Sequence, residues 1–356
     1  METIANKIDI SLTTNSRISE LEEGLNKFGR IFSDHMFVAD FSDGEWCDAR
    51  IVPYKDLSLS PATSAIHYGQ SIFEGMKAYK NEDGETLLFR PTDNIKRLNI
   101  SAERMCMPDV PEDLFYDGLK QLLDIDKDWI PSAEDTSLYI RPFMFSTDNY
   151  IGVKPSDKYK FMIFTTPVGG YYTEPVKVKV ETHYTRSASG GVGFAKAAGN
   201  YAASLYPAKL AQKEGYHQLV WTDAKEHKYI EESGTMNIMF VIGDKLITPA
   251  TSDSILDGIT RDSVLILARD WGYTVEERKV SVDEVVEAAT SGNLKEAFGT
   301  GTAATIAQIS IFNHKGIDYE LPSIESREFS NRVSSYLQDI KRGKIEDSHG
   351  WIVKLK

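Results

Sequence analysis

A lysine set among small residues is the first feature of this sequence that could carry chemistry. Lys196 lies in the segment Gly190–Tyr201, which reads GGVGFAKAAGNY. Small neighbours let a flat ligand approach closely, and a desolvated lysine amine can form a Schiff base with an aldehyde. The phosphate-loop pattern is missing, because no glycine directly precedes Lys196 and alanine follows it. A surface lysine on a glycine-rich loop fits the same residues, so this motif alone leaves both interpretations open.

Glu232 is the second candidate, at the end of a predicted strand in the segment EESGTMN (231–237). A carboxylate there either faces water, as we expect of Glu231, or holds a pyridinium nitrogen protonated so that the ring can act as an electron sink. Two loops could bind an anion. Gly258 begins a predicted helix whose first amides are free, and Gly299–Ala304 forms a nest of small residues. A capped helix and a tight turn explain these two loops equally well.

Tyr139 and Arg141 share one face of a predicted strand, because they are two residues apart in LYIRP (138–142). An arginine beside a tyrosine hydroxyl is a suitable receptor for a carboxylate, and a surface ion pair is the competing interpretation. Arg97 lies on a predicted helix, where arginine is typically solvated. We interpret His67 as structural.

The elements that must position these residues indicate an α/β fold of the α+β kind with two domains, as 356 residues suggest. We predict a smaller N-terminal α/β domain with an N-terminal arm (1–167), an interdomain linker at Gly169-Gly170 (168–178) and a larger C-terminal domain (179–356). In the first half, mostly antiparallel strands and two helices are predicted: strands Met36–Phe41, Trp46–Val52, Ile72–Tyr79, Thr86–Arg90, Ser137–Phe145 and Tyr159–Thr166, and helices from Asp93 and Pro111.

The second half is predicted to mix strands with capped helices. Thr260 is expected to cap one helix, Ser281 has the capping-box spacing to Glu284, and Pro207 is expected to kink or end the helix that follows Lys196. The remaining elements are strands Val176–Val180, His217–Thr222, Tyr229–Glu232 and Phe298–Ile311, a hairpin over Asn237–Thr248 and a helix over Ser326–Ile340.

Composition excludes several classes of function. A formal net charge of -13 argues against nucleic acid and anionic membranes as partners, since both need a basic surface. Only Cys47 and Cys106 are present, so neither a disulfide framework nor a thiolate metal site is expected. The first thirty residues lack the apolar core of a signal peptide, and no stretch is long enough to span a membrane. We therefore expect a cytoplasmic protein without a metal.

Taken together, the motifs resemble the fold-type IV pyridoxal-phosphate enzymes, and among these the branched-chain amino-acid aminotransferases. The resemblance extends from about residue 36 to the C-terminal Gly350-Trp351. It is carried by the segments His67–Gly75, Phe89-Arg90-Pro91, Arg97-Leu98, Tyr139–Pro142, Lys196–Tyr201, Glu232–Asn237, Gly258–Arg261 and Gly299–Ala304.

The resemblance implies pyridoxal 5'-phosphate as cofactor and a larger C-terminal domain of pseudo-barrel type. Lys196 would bind the cofactor covalently and act as general base and acid, Glu232 would pair with the pyridine nitrogen, and Tyr201 would bond the ring oxygen. The phosphate would contact Arg97, the amides of Ile259 and Thr260, and Thr302. Arg186 matches an arginine that closes the site in longer members.

For the substrate, the resemblance implies that Tyr68 and the amides of Thr302 and Ala303 meet the α-carboxylate. The side-chain pocket would be walled by Phe73, Tyr139 and Tyr171. Because this pocket must accept both a branched apolar side chain and the γ-carboxylate of glutamate, Arg141 is expected at its edge, where its charge is not left uncompensated.

The implied reaction transfers the amino group of leucine, isoleucine or valine to 2-oxoglutarate. The resemblance also implies a homodimer with its active site at the domain junction, including loop residues of the partner subunit. Three alternatives remain open: a D-amino-acid aminotransferase, an aminodeoxychorismate lyase of the same fold, and a non-catalytic protein that binds a phosphate ligand. The Tyr139 and Arg141 pair argues against the first two.

Overall fold

The computed structural model describes residues 8–170 and 174–355. Its strands, in chain order, are β1 (Asp9–Ile10), β2 (His35–Ser42), β3 (Glu45–Pro53), β4 (Ser71–Phe73), β5 (Met76–Lys80), β6 (Thr86–Phe89), β7 (Ser137–Ser146), β8 (Tyr159–Val168), β9 (Val176–Val180), β10 (Gln218–Thr222), β11 (Tyr229–Ser233), β12 (Asn237–Ile242), β13 (Lys245–Thr248), β14 (Thr274–Glu277), β15 (Val280–Ser281), β16 (Leu294–Gly301), β17 (Thr305–His314), β18 (Ile317–Glu320) and β19 (Ile352–Leu355).

The α-helices are α1 (Leu21–Leu25), α2 (Ser64–Tyr68), α3 (Pro91–Arg104), α4 (Glu112–Ile125), α5 (Ala198–Lys213), α6 (Ile259–Asp270), α7 (Val282–Thr290) and α8 (Phe329–Lys341). Short 3-10 turns lie at Ile18–Glu20, Lys127–Trp129 and Ile324–Ser326. Within the described residues, no helix is both long enough and apolar enough to cross a lipid bilayer.

The chain divides into two compact units that differ from the predicted domains. The first comprises Met1–Tyr171, Ala195–Gly199 and Asp339–Lys356, and the second comprises Tyr172–Phe194 and Asn200–Gln338. Two pairings explain why later residues belong to the first unit. Ala197 forms a β-bridge with Ile72, and β19 pairs antiparallel with β6. The boundaries 1–167, 168–178 and 179–356 stay a prediction.

The first unit is built on one sheet with the strand order β1-β3-β2-β8-β7-β5-β6-β19, to which β4 is added through β7. All its pairs are antiparallel except β1 with β3. Helices α3 and α4 contribute Ile95, Leu98, Leu119 and Leu122 to a core from which water is excluded. This burial confirms the helical spacing predicted for both segments.

The second unit contains a separate sheet with the order β14-β13-β12-β16-β17-β9-β10-β11-β15, and β18 pairs with β17. Three of its pairs are parallel: β13 with β14, β17 with β9, and β9 with β10. Its core contains Val178, Ile238, Phe240 and Phe312. The expected α/β class, with mostly antiparallel strands in the first half, is confirmed.

Three local predictions need correction. The single strand predicted over Phe298–Ile311 is two antiparallel strands, β16 and β17, because the chain turns at residues 302–304. Of the two outcomes expected at Pro207, the end of the helix is wrong, since α5 continues to Lys213, and the kink stays a prediction. The cap of α6 is Gly258 and not Thr260, which is the second helical residue. The Ser281 cap is confirmed, because its hydroxyl accepts the Glu284 amide.

Candidate active site

The backbone of Lys196 is fixed by β4 and α3 within the first unit. The Phe73 amide donates to the Lys196 carbonyl at 3.1 Å, and the Lys196 amide donates to Ser101 Oγ at 2.9 Å. The Ser101 hydroxyl in turn donates to the Arg97 carbonyl at 3.0 Å, one turn back along α3. Lys196 is half-buried and comes just before α5. The predicted lysine is therefore held on a rigid support, and not on a free surface loop.

A phenyl ring connects Lys196 to the predicted carboxylate receptor. Lys196 Nζ lies 4.4 Å from the centroid of the Phe73 ring, and Arg141 Cζ lies 4.6 Å from it. Both distances are within the range of a cation–π contact. Arg141 Nη2 donates to the Tyr139 hydroxyl at 3.0 Å, which confirms that the two side chains share a face. Arg141 Nε is buried and has no hydrogen-bond partner among the described residues, so a buried donor remains for a ligand.

Gly75 makes room for the Tyr139 hydroxyl. A Cβ atom at this position would lie 2.1 Å from Tyr139 Oη and 3.0 Å from Cζ. The Tyr139 ring also packs edge-on against Phe28, with 5.4 Å between the centroids. Because Tyr139 is only 7% exposed, its hydroxyl has little freedom to move away from a larger residue at position 75.

Arg97 is buried, and not solvated as expected for an arginine on a helix. It is 8% exposed and forms a two-point ion pair with Glu74, whose side chain is fully buried. Burial alone would raise the pKa of Glu74, but the charge and hydrogen bonds of Arg97, the Lys196 charge and the Asn94 amide together lower it. Sequence reasoning missed Glu74, because nothing local to FEG (73–75) shows that a partner comes from α3.

In the second unit, Glu232 and Arg186 form a buried ion pair. Glu232 is 2% exposed, its Oε2 lies 2.9 Å from Arg186 Nε, and its Oε1 accepts the Leu256 amide at 2.8 Å. Arg186 Nη1 also donates to the Ser254 carbonyl at 3.1 Å. The arginine and the amide both favour the ionised carboxylate. This arrangement can hold a cationic N–H group of a ligand.

The sequence predicts that the neighbouring Glu231 faces water, but in the structure its carboxylate is partly buried and hydrogen-bonded. Its Oε1 accepts the Ser254 hydroxyl at 2.6 Å, and the side chain is half-buried. Desolvation raises the pKa of Glu231, and the Glu232 and Asp223 charges add to this shift against the opposing Ser254 bond.

The segment that contacts Glu232 continues into the start of α6. Asn237 Nδ2 donates to the Leu256 carbonyl at 2.8 Å, and a Cβ on Gly258 would lie 1.9 Å from Asn237 Oδ1. The N-cap residue of α6 is Gly258, which has no side chain with which to cap the helix. Ile259 and Thr260 are the first two residues of this twelve-residue helix, whose N-terminal amides and dipole favour an anion.

The small-residue nest lies at the turn between β16 and β17. Thr302 and Ala303 are half-buried in this turn, and Thr305 follows at a positive φ of 58°. Thr300 pairs with Asn237 across β16 and β12, so the two side chains share a face of the sheet. The Thr300 hydroxyl is buried without a hydrogen-bond partner among residues 8–170 and 174–355. A buried orphan hydroxyl opposite Asn237 fits a ligand with acceptor oxygens, such as a phosphate.

The remaining predicted residues are Tyr68, Tyr201 and Tyr171. Tyr68 ends α2 and is 40% exposed, and Tyr201 is half-buried in the first turns of α5. Tyr171 lies outside the described residues. Each unit thus brings some of its own candidates together. The first unit contains Phe73, Tyr139, Arg141 and Lys196, together with the ion pair of Arg97. In the second unit Arg186 contacts Glu232, and the ends of helices and strands carry Ile259, Thr260, Thr302 and Ala303.

Comparison with known proteins identifies the family. Residues 71–312 match the family described as amino-transferase class IV. The chain belongs to this family. The matched range includes both Lys196 and Glu232, so the aminotransferase predicted from the motifs is confirmed at the level of the family.

Full-length relatives support the same assignment. The chain is 48% identical over 332 residues to branched-chain-amino-acid aminotransferase 2 of Bacillus subtilis (strain 168), covering 92% of each protein. It is 49% identical over 331 residues to a probable branched-chain-amino-acid aminotransferase of Staphylococcus aureus (strain N315), again covering 92% of each. The resemblance stated from the sequence is therefore confirmed.

Solved structures share the fold. The branched-chain amino acid aminotransferase of Escherichia coli is 26% identical with a TM-score of 0.73, covering 91% of this chain and 99% of that one. The branched-chain aminotransferase of Thermoproteus uzoniensis, crystallised with norvaline, is 25% identical with a TM-score of 0.76, covering 90% and 100%. A further branched-chain amino acid aminotransferase, crystallised with pyridoxamine 5'-phosphate, is 25% identical with a TM-score of 0.72, covering 89% and 98%.

Proposed function

We propose that this chain is a branched-chain-amino-acid aminotransferase that moves the amino group of leucine, isoleucine or valine to 2-oxoglutarate with pyridoxal 5'-phosphate. One structural observation carries the substrate assignment. The Phe73 ring offers an apolar surface, and the Arg141 guanidinium lies 4.6 Å from its centroid with a buried donor still unpartnered among the described residues. The names of the two relatives at 48% and 49% identity support the same substrate class.

The described residues fit the proposed cofactor. The amides that open α6 and the orphan Thr300 hydroxyl suit its phosphate, and the Glu232–Arg186 pair suits its pyridine nitrogen. In this proposal the phosphate is held by Arg97, the Ile259 and Thr260 amides and the Thr302 hydroxyl, and Tyr201 bonds the ring oxygen. When bound, pyridoxal phosphate supplies an electron sink that weakens the C–H bond beside the amino group.

Lys196 performs two tasks in the proposed reaction. Its Nζ would link the protein to the cofactor. Once released, the amine would act as the general base that takes the proton from the substrate α-carbon and as the general acid that returns it in a 1,3-proton shift. Glu232 keeps the pyridine nitrogen protonated. Arg186 stabilises the charged form of Glu232 by its own charge, and the bond to the Leu256 amide orients the carboxylate.

Substrate selection follows from the cost of burying charge. A branched side chain gains by leaving water for the apolar walls that we assign to Phe73 and Tyr139. A γ-carboxylate in the same place would be strongly disfavoured without a partner, and Arg141 provides one together with the Tyr139 hydroxyl. The α-carboxylate is assigned to Tyr68 and to the amides of Thr302 and Ala303. One pocket can then accept both substrates.

Two further expectations belong to this proposal. We infer a homodimer, which supplies partner loop residues to the site, and a cytoplasmic location. The first rests on the family resemblance and is tested by sedimentation of the purified protein. The second rests on the use of cysteine, with only Cys47 and Cys106 in the chain and both free thiols exposed.

The test is the single-turnover spectrum of the cofactor-loaded protein with individual amino acids. We expect L-leucine, L-isoleucine, L-valine and L-glutamate to change the absorbance of the cofactor, and D-alanine to leave it unchanged. Lys196→Ala should abolish the response. Turnover of D-alanine or of aminodeoxychorismate would favour the related activities of this fold, and a protein that takes up no pyridoxal phosphate would favour a phosphate-binding protein without catalysis.

A further inference from the structure

Glu74 is a buried acid to which the proposed reaction assigns no role. Its side chain has 0% exposure and follows directly after β4. Arg97 Nε donates to Oε1 at 2.7 Å, and Arg97 Nη2 donates to Oε2 at 2.9 Å. Oε2 also accepts from Asn94 Nδ2 at 2.8 Å and from the Gly75 amide at 3.1 Å. The Glu74 carboxylate is thus fixed by the Asn94 side chain and the Gly75 amide in addition to its ion pair with Arg97.

This two-point contact restricts the arginine more than a single ion pair would. A free arginine side chain has many rotamers, and two parallel N–H···O bonds fix the plane of its guanidinium group. The pair is out of water, since Arg97 is 8% exposed and Glu74 is fully buried. Glu74 therefore determines where the positive charge of Arg97 lies and in which direction its donors point.

The segments that hold Glu74 and Arg97 also hydrogen-bond the backbone of Lys196. Phe73, the residue before Glu74, donates its amide to the Lys196 carbonyl at 3.1 Å. On the other side, Ser101 accepts the Lys196 amide at 2.9 Å and donates to the Arg97 carbonyl at 3.0 Å. Lys196 and the Arg97 guanidinium are consequently fixed relative to each other through β4 on one side and α3 on the other.

We propose that Glu74 is a positioning residue that orients Arg97 toward the phosphate of the cofactor, so that it sets the affinity for the phosphate ester and not for the ring. This inference rests on the proposed function, because it takes Arg97 as the phosphate-binding arginine. If the Glu74–Arg97 pair served stability alone, its removal would weaken the binding of all ligands equally or would weaken the binding of none.

The experiment compares two ligands that differ only in the phosphate. Apo-protein is titrated with pyridoxal 5'-phosphate and with pyridoxal, and binding is followed by tryptophan fluorescence and equilibrium dialysis. For Glu74→Gln we expect an affinity for pyridoxal phosphate lowered by about 10- to 100-fold, as for a lost charge-assisted contact, and an affinity for pyridoxal within about twofold of wild type. Glu85→Gln, which removes an exposed ion pair with Lys354, is the matched control and should change neither.

Asn94→Ala provides a second test in case the Glu74→Gln variant does not fold. It removes the 2.8 Å bond to Glu74 Oε2 and leaves the ion pair intact. We expect it to weaken pyridoxal phosphate binding by about threefold to tenfold, again without an effect on pyridoxal. In an Arg97→Met background, Glu74→Gln should have no additional effect on phosphate-ester affinity.

The outcomes separate the inference from the proposed function. If Arg97→Met leaves the ratio of the two affinities unchanged, Arg97 does not bind the phosphate, and that part of the proposed function fails. If Arg97→Met changes the ratio but neither Glu74→Gln nor Asn94→Ala does, the positioning role of Glu74 is wrong. Additive effects of Glu74→Gln and Arg97→Met would also overturn it, because Glu74 would then act independently of the arginine.

Discussion

Gly75→Ala is the perturbation whose consequence can be worked out most fully from the structure. The new methyl carbon would lie 2.1 Å from Tyr139 Oη, whereas ordinary contact begins near 3.4 Å. The hydroxyl must therefore shift by about 1.3 Å, by difference from a normal van der Waals separation. Phe28 packs on the same ring, and the 3.0 Å bond from Arg141 Nη2 would break or be remade elsewhere.

The expected cost is moderate for stability and large for catalysis. Overpacking typically costs about 1–3 kcal/mol, and a misplacement of about 1 Å in a site costs about 100-fold in rate. We expect kcat/KM to fall by about 100-fold with glutamate, which uses Arg141, and by less with leucine, which uses mainly apolar walls. Binding of pyridoxal phosphate should change little, because none of the proposed cofactor contacts involves Tyr139.

The assay is steady-state kinetics with both amino donors on protein of verified cofactor content. Gly199→Ala is the control, since its added Cβ would meet nothing within 4 Å and the position is exposed on α5. Wild-type kcat/KM for both donors in Gly75→Ala would refute the reasoning, because it would mean that Tyr139 and Arg141 do not need their observed positions. An equal loss in Gly199→Ala would show that any added methyl is harmful.

Three further predictions concern the second unit and a buried lysine. Glu232→Ala should still bind pyridoxal phosphate but lose most transamination, and an unchanged kcat would contradict its role at the pyridine nitrogen. Thr300→Val keeps the shape but removes the orphan hydroxyl, so pyridoxal phosphate should bind about 3- to 10-fold more weakly in dialysis, whereas unchanged binding would make that hydroxyl irrelevant. Burial, with the nearby charge of Lys77, lowers the pKa of Lys341 to about 7. Above that pH the unfolded chain binds a proton that the folded protein lacks, so stability should rise from about pH 7 towards about pH 10. In thermal melts over this pH range, the melting temperature of Lys341→Met should rise less than that of the wild type. The same dependence of melting temperature on pH in both proteins would contradict the lowered pKa of Lys341.

Local signals in the sequence predict the parts of the fold that depend on neighbouring residues. The alternation of Tyr139 and Arg141 places both on one face of β7, and the spacing of Ser281 and Glu284 predicts a cap that the structure contains. Lys196 is correctly expected just before a helix. In each case the determining interaction lies within a few residues.

Features that depend on distant residues could not be predicted in this way. The burial of Arg97 requires Glu74, 23 positions earlier in the chain, and the pairing of β19 with β6 joins residues such as Ile352 and Phe89. Gly299–Ala304 is compatible with a tight turn, but the sequence still predicts one continuous strand over Phe298–Ile311, because residues 302–304 contain no glycine, proline or asparagine and Thr305 adopts a positive φ without one. The sequence predicts Thr260 as a cap because threonine favours that position, whereas Gly258 occupies it.

The central claim is that Lys196 is the residue that binds the cofactor covalently. Reduction of the pyridoxal-phosphate-loaded protein with borohydride, followed by tryptic digestion and mass spectrometry, tests it directly. We predict a reduced pyridoxyl group on Lys196, with loss of tryptic cleavage after that residue and no label in the Lys196→Ala variant. A label on a different lysine, or no stable label in a protein that has taken up the cofactor, would contradict the account.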